Sequence, residues 1–175
     1  MSATIQTIQR LASARLLSSS SLIVPHNVPA PSDQLTADLQ SLAASAQRAA
    51  ASVLCSSILA GHTSESDDFD DAAIWLGKGA YGTGNEQAVL NSLGIPGGRI
   101  SSVELSSDTH IPKTVNSSTT TPELSALSAK LAELQDLHCF SVQPDNGGSQ
   151  VIYSLIGKKA NGWAGLVGIG IWSDN

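Results

Sequence analysis

From residue 33 onward, Leu35, Leu39, Leu42, Ala43, Ala46, Ala49, Ala50, Val53, Leu54 and Ile58 recur at intervals of three and four. That spacing puts apolar side chains on one face of a helix. The pattern predicts one long amphipathic helix to about Leu59, capped by Ser32 or Asp33 and ended by Gly61. Residues 72–76 read as a strand, 77–84 as a glycine-rich turn, 85–93 as a short helix and 100–105 as a second strand. The Ser/Thr-rich stretch 106–121 reads as a loop until Pro122, a favoured first helical residue with Thr121 as its cap. Leu124, Leu127, Leu131, Leu134 and Leu137 line one face of the helix that follows. Three strands close the chain at 139–143, 150–156 and 165–172, joined by Pro144-Asp-Asn-Gly-Gly148 and Gly157-Lys-Lys-Ala-Asn-Gly162, both suited to hairpins. Helix, strands, helix and an antiparallel meander make an α+β plan, with helices covering a mostly antiparallel sheet.

Residues 1–32 break this pattern. Ile5, Ile8, Ala12 and Leu16 lie near helical spacing, Arg10 and Arg15 stand on a Ser-rich background without acids, and Pro25, Pro29 and Pro31 interrupt regular structure. Two readings stay open, a disordered tail or a mitochondrial presequence. The folded domain is expected at 33–175. Its 142 further residues after Asp33 suit a single core, as does the whole chain of 175. The longest nearly apolar run, 164–172, contains three glycines and falls well short of the ~20 residues of a membrane-spanning helix. No membrane partner is expected.

Charge sharpens the picture. Only 14 % of residues are charged, against roughly 25 % in ordinary soluble domains, and 27 serines take up much of the difference. Arg10 and Arg15 are the only charges before Asp33, so the rest carries all 15 acids and seven of nine bases, a net charge of −8. An anionic surface of that kind opposes binding to a phosphate backbone, so direct nucleic-acid binding is disfavoured. Cys55 and Cys139 could form at most one bridge, and their apolar neighbourhoods suit free thiols in a reducing, intracellular compartment.

The densest chemistry is the loop 63–71, with Glu65, Asp67, Asp68, Asp70 and Asp71 packed into seven residues. Clustered carboxylates can bind a hard cation, cap the next element as a solvated turn, or steer a basic partner. The loop lacks the glycine and final acid of a helix-loop-helix calcium site. Covalent catalysis finds little support. His138 and Cys139 are strand neighbours and point to opposite faces, and no G-x-S-x-G turn occurs. His26, His62, His110 and His138 follow no zinc spacing. The turn Gly77-Lys-Gly-Ala-Tyr-Gly-Thr-Gly84 shares only its glycines with a phosphate-binding loop. No catalytic residue and no cofactor are assigned, and the chain is not expected to be an enzyme. The last strand runs almost to Asp174 and Asn175, so the terminal carboxylate is expected at a fixed sheet end.

Residues 57–76, Ser-Ile-Leu-Ala-Gly-His-Thr-Ser-Glu-Ser-Asp-Asp-Phe-Asp-Asp-Ala-Ala-Ile-Trp-Leu, resemble the nuclease A inhibitor (NuiA-like) family. Thr120-Thr121-Pro122, Tyr153-Ser-Leu-Ile-Gly157 and Asn161-Gly-Trp-Ala-Gly165 continue the likeness in the same order. The resemblance implies a three-layer α/β/α sandwich of the pathogenesis-related-protein-1-like (PR-1-like) kind. It implies an inhibitor of a sugar-nonspecific, metal-dependent ββα-metal nuclease; the chain is expected to be monomeric when free and, from its cysteines and the open presequence reading, cytoplasmic or mitochondrial. In such inhibitors the glutamate of Ser-Glu-Ser and the C-terminal carboxylate approach the enzyme's catalytic Mg²⁺. Carried over, these are Glu65, between Ser64 and Ser66, and the carboxylate of Asn175, with Asp67, Asp68, Asp70, Asp71 and Asp174 beside them. A small-molecule or protein-binding module of the same fold, without inhibitory activity, is the alternative.

Overall fold

The computed structural model describes residues 3–12, 16–19, 21–65, 68–116, 118–145 and 148–172. In chain order the elements are α1 (Ala3–Leu11), β1 (Leu16–Ser19), β2 (Leu22–Pro25), α2 (Asp33–Ser52), β3 (Ala72–Gly77), α3 (Glu86–Leu93), β4 (Gly98–Val103), α4 (Pro122–Leu131), β5 (Gln135–Pro144), β6 (Gln150–Lys159) and β7 (Gly162–Ile171). The fold is α+β, built on one seven-stranded sheet of order β1-β2-β3-β7-β6-β5-β4. Only β2 and β3 run parallel, because α2 carries the chain back between them.

The meander β5-β6-β7 forms the sheet's centre and one flank. β6 and β7 stay in register from Gln150 opposite Ile171 to Lys159 opposite Gly162, so Ala160-Asn161 alone makes the turn. Side chains alternate across the strands. Ala73 and Trp75 of β3 join a core with Leu39, Ala43 and Ala46 of α2, Leu124 and Leu127 of α4, and Tyr153 and Leu155 of β6. Ala72, Ile74 and Leu76 join a second core with Ile5 and Ile8 of α1, Leu90 and Leu93 of α3, and Phe140 and Ile152. β5 obeys the same rule, with Cys139 in the first core and Phe140 in the second. His138 stacks on Phe140, ring centroids 6.0 Å apart, and so faces away from the Cys139 thiol.

Both helix caps predicted from sequence are present. The Ser32 hydroxyl accepts from the Leu35 N–H at 3.2 Å, and the Thr121 hydroxyl accepts from Leu124 N–H at 3.1 Å. Three expectations are corrected. The described residues before Asp33 are built into the fold and are not a disordered tail: Ile5, Ile8 and Ile23 are almost fully buried, and β2 adds to β3 as a strand. Arg15, part of the presequence reading, lies outside the described residues. The long helix ends at Ser52, because Leu54 takes a left-handed φ of 63° and Cys55 N–H turns back to the Ala50 carbonyl. Ile58 and Leu59 are buried from the turn beyond it. Leu134 and Leu137 likewise follow α4, in the turn into β5 and in β5 itself. Among the described residues, no helix is long and apolar enough to cross a membrane.

Candidate functional site

The acidic loop crosses the end of the sheet where β7 finishes and β3 begins. Its approach is fixed by a buried carboxyl. Asp71 is fully buried, its Oδ1 accepting from the Ser57 hydroxyl at 2.7 Å and its Oδ2 from Ile58 N–H at 2.6 Å. The Ser57 oxygen in turn accepts from Ala60 N–H at 3.1 Å. Burial pushes the Asp71 carboxyl up to about 7, against the pull of hydrogen bonds from Ile58, Ser57 and Leu59. Gly168 of β7 makes room for this group, since a Cβ there would sit 2.5 Å from Ser57 Oγ and 2.6 Å from Asp71 Oδ1.

A short 3₁₀ turn, Gly61–Thr63, follows. His62 is wedged between two backbones: Asn116 N–H donates to its Nδ1 at 2.8 Å, so Nε2 carries the proton it donates to the Val53 carbonyl at 2.9 Å. His62 N–H also donates to the Thr114 carbonyl at 2.9 Å. Gly61 has φ 57° and lies so close to Thr114 that a Cβ would meet its carbonyl at 2.5 Å. The turn is therefore held from both sides before the acidic residues begin.

Ser64 and Glu65 are then tied to the end of β7. Glu65 N–H donates to the Ile171 carbonyl at 2.9 Å, and Ile171 N–H donates to the Ser64 hydroxyl at 3.0 Å. The Glu65 backbone thus has a fixed address four residues before Asn175, and the residue itself is exposed. Tyr153 of β6 supports this corner. Its hydroxyl lies 3.3 Å from the Thr63 hydroxyl and also receives the Trp172 side chain, while burial raises its pKa. Trp172 N–H donates to the Ser149 carbonyl at 3.0 Å, which fixes the strand end.

The remaining expected residues separate by environment. Asp68 is exposed, and Asp70 is half-buried, its Oδ2 3.4 Å from Gln47 Nε2 and its Oδ1 without a partner among the described residues. The expectation for Asp71 is corrected: a carboxyl with no exposed surface, engaged by Ser57 and Ile58, positions the loop and offers no charge to a docking partner. Ser66, Asp67, Asp174 and Asn175 lie outside the described residues. Thr63 and Tyr153 were quoted from sequence only as parts of longer segments and Ile171 not at all, because their role at this corner depends on sheet pairing, which sets which loop meets which strand end. Among the described residues, no three His, Cys, Asp or Glu side chains converge as a metal-binding set. No protein-family model matches the chain, and no curated protein matches its sequence.

Proposed function

We propose that the protein inhibits a sugar-nonspecific ββα-metal nuclease by presenting Ser64-Glu65-Ser66 to the enzyme's metal centre. The observation that carries this reading is the pair of hydrogen bonds joining Ser64 and Glu65 to Ile171. An inhibitor of this kind needs an exposed carboxylate on a backbone that does not have to be ordered on binding, since ordering a loop would cost affinity. These two bonds supply that condition for Glu65, and Asp174 and Asn175 follow β7 in sequence. A nuclease cleft is basic and holds a cation that accepts hard oxygen ligands. A carboxylate offers such an oxygen without a scissile bond, and Asp67, Asp68 and Asp70 add the charge that steers the encounter.

The fold supports the same reading. Helices α1 and α3 share one core with the sheet and α2 and α4 share the other, which supports our assignment of the fold as a three-layer α/β/α sandwich of the PR-1-like kind. In this reading the chain is a monomer when free, is not an enzyme and carries no cofactor. The free thiols of Cys55 and Cys139 suit a reducing compartment, so we place it inside the cell. The test is DNA degradation by a Mg²⁺-dependent nonspecific nuclease with and without the protein. Protection at micromolar inhibitor is expected; unaltered degradation overturns the proposal for that class of enzyme.

A further inference from the structure

At the opposite end of β3 from the acidic loop, a cavity of about 710 Å³ opens between residues 27–32, the end of β3 and the glycine-rich turn. We propose that it binds a small planar aromatic carboxylate. The volume falls in the range of small-molecule sites. Its lining mixes polar and apolar groups: Trp75 and Tyr81 supply aromatic surface, Val28, Pro29 and Pro31 aliphatic surface, and Asn27, Ser32 and Asn161 polar groups. Flat rings select a flat ligand, because stacked aromatic faces gain contact area at little entropic cost.

Two polar features define the ligand's charge. Trp75 is only 8 % exposed, and its indole N–H has no acceptor among the described residues, whereas the Trp163 Nε1 donates to the Gly79 carbonyl at 2.8 Å. An indole N–H at the cavity without a protein acceptor among the described residues is free to donate to an acceptor on a ligand. Lys78 stands exposed on the cavity's edge with no carboxylate in ion-pair distance among the described residues. An adjoining cavity of about 330 Å³ shares Lys78, Ala160 and Asn161 and brings in Lys158, whose ammonium lies 5.5 Å from the Trp163 ring centroid. Lys158 is itself paired with Asp136 at 3.4 Å, so Lys78 is the cation that meets an anionic ligand here. The glycine-rich turn serves as a wall. A Cβ at Gly79 would sit 2.6 Å from the Tyr81 ring, so the missing side chain lets that ring fold back over the turn.

The site is independent of the acidic loop, and its test does not involve a nuclease. Isothermal titration of the full chain with 2-naphthoate and with the neutral 2-naphthamide reads the charge preference directly. The naphthoate should bind at least about tenfold more tightly, as expected for a charge-assisted contact. Lys78→Met removes the ammonium from an exposed position and should abolish that preference while leaving amide binding unchanged. Trp75→Phe keeps an aromatic wall, removes the N–H donor and should weaken both probes. Absence of binding by either probe, equal affinities for acid and amide, or an undiminished preference in Lys78→Met would overturn the proposal.

Discussion

Replacing Asp71 by asparagine isolates the group that anchors the acidic loop, because the amide has the shape of the neutral acid and cannot ionise. In the fold the carboxyl titrates near 7, displaced from an ordinary value of 3.8 chiefly by burial. A carboxyl whose pKa is raised on folding contributes stability that is complete below the unfolded value and is lost as pH rises through the folded one. The gap is about three units, so on the order of 4 kcal/mol should disappear between pH 4 and pH 8. Other carboxylates titrate over the lower part of that window and are common to both proteins, so the difference between wild type and Asp71→Asn removes them. Urea denaturation at pH 4, 5.5, 7 and 8 measures it. The advantage of Asp71→Asn over wild type should grow steadily with pH, by about 4 kcal/mol in all. A difference that stays constant across the series would refute the placement of a protonated carboxyl against Ser57 and Ile58.

Three further substitutions probe the frame around the site. Ile8 is fully buried in α1, so Ile8→Ala should cost about 2–4 kcal/mol in chemical denaturation; no loss would mean that this segment is an appendage after all. Leu54 holds a left-handed φ of 63° at 90 % exposure, so Leu54→Gly should raise stability by about 0.5–1 kcal/mol, and a loss would contradict the helix end described here. Gly168→Ala would press a methyl against Ser57 Oγ and Asp71 Oδ1. It should lower stability by about 1–3 kcal/mol and move the pH dependence of Asp71, whereas a neutral effect would show open space at that position.

How much of this was legible in the sequence depended on whether local pattern or distant pairing decided the outcome. The β5-β6-β7 meander was readable because each strand is a largely apolar run and the linkers between them carry Gly and Asn. Ser32 and Thr121 were readable because capping is local. The segment 16–25 was not, since its four-residue strands gain their stability from β3, some fifty residues later. The end of α2 was hidden for a similar reason: Leu54 carries no glycine-like signal, and Ile58 and Leu59 kept a helical spacing while packing from a turn.

Within the acidic loop, composition identified the cluster but could not rank its members. Asp71 looks like Asp68 until one notes that it touches the wholly buried strand 72–77, and the partner that accommodates it, Gly168, lies almost a hundred residues away. The tie between Glu65 and Ile171 was equally invisible, because it depends on β7 lying beside β3 in the sheet.

The central claim concerns Glu65, and inhibition titration of a ββα-metal nuclease by wild type and Glu65→Gln, side by side in Mg²⁺, tests it most directly. The side chain is exposed in the free protein, and glutamine keeps its size and shape while removing its charge. Wild type should inhibit with one-to-one stoichiometry. Loss of one member of a desolvated charge pair should weaken Glu65→Gln about a hundredfold, the equivalent of about 3 kcal/mol. Equal inhibition by the two proteins, or none by wild type, would contradict the account.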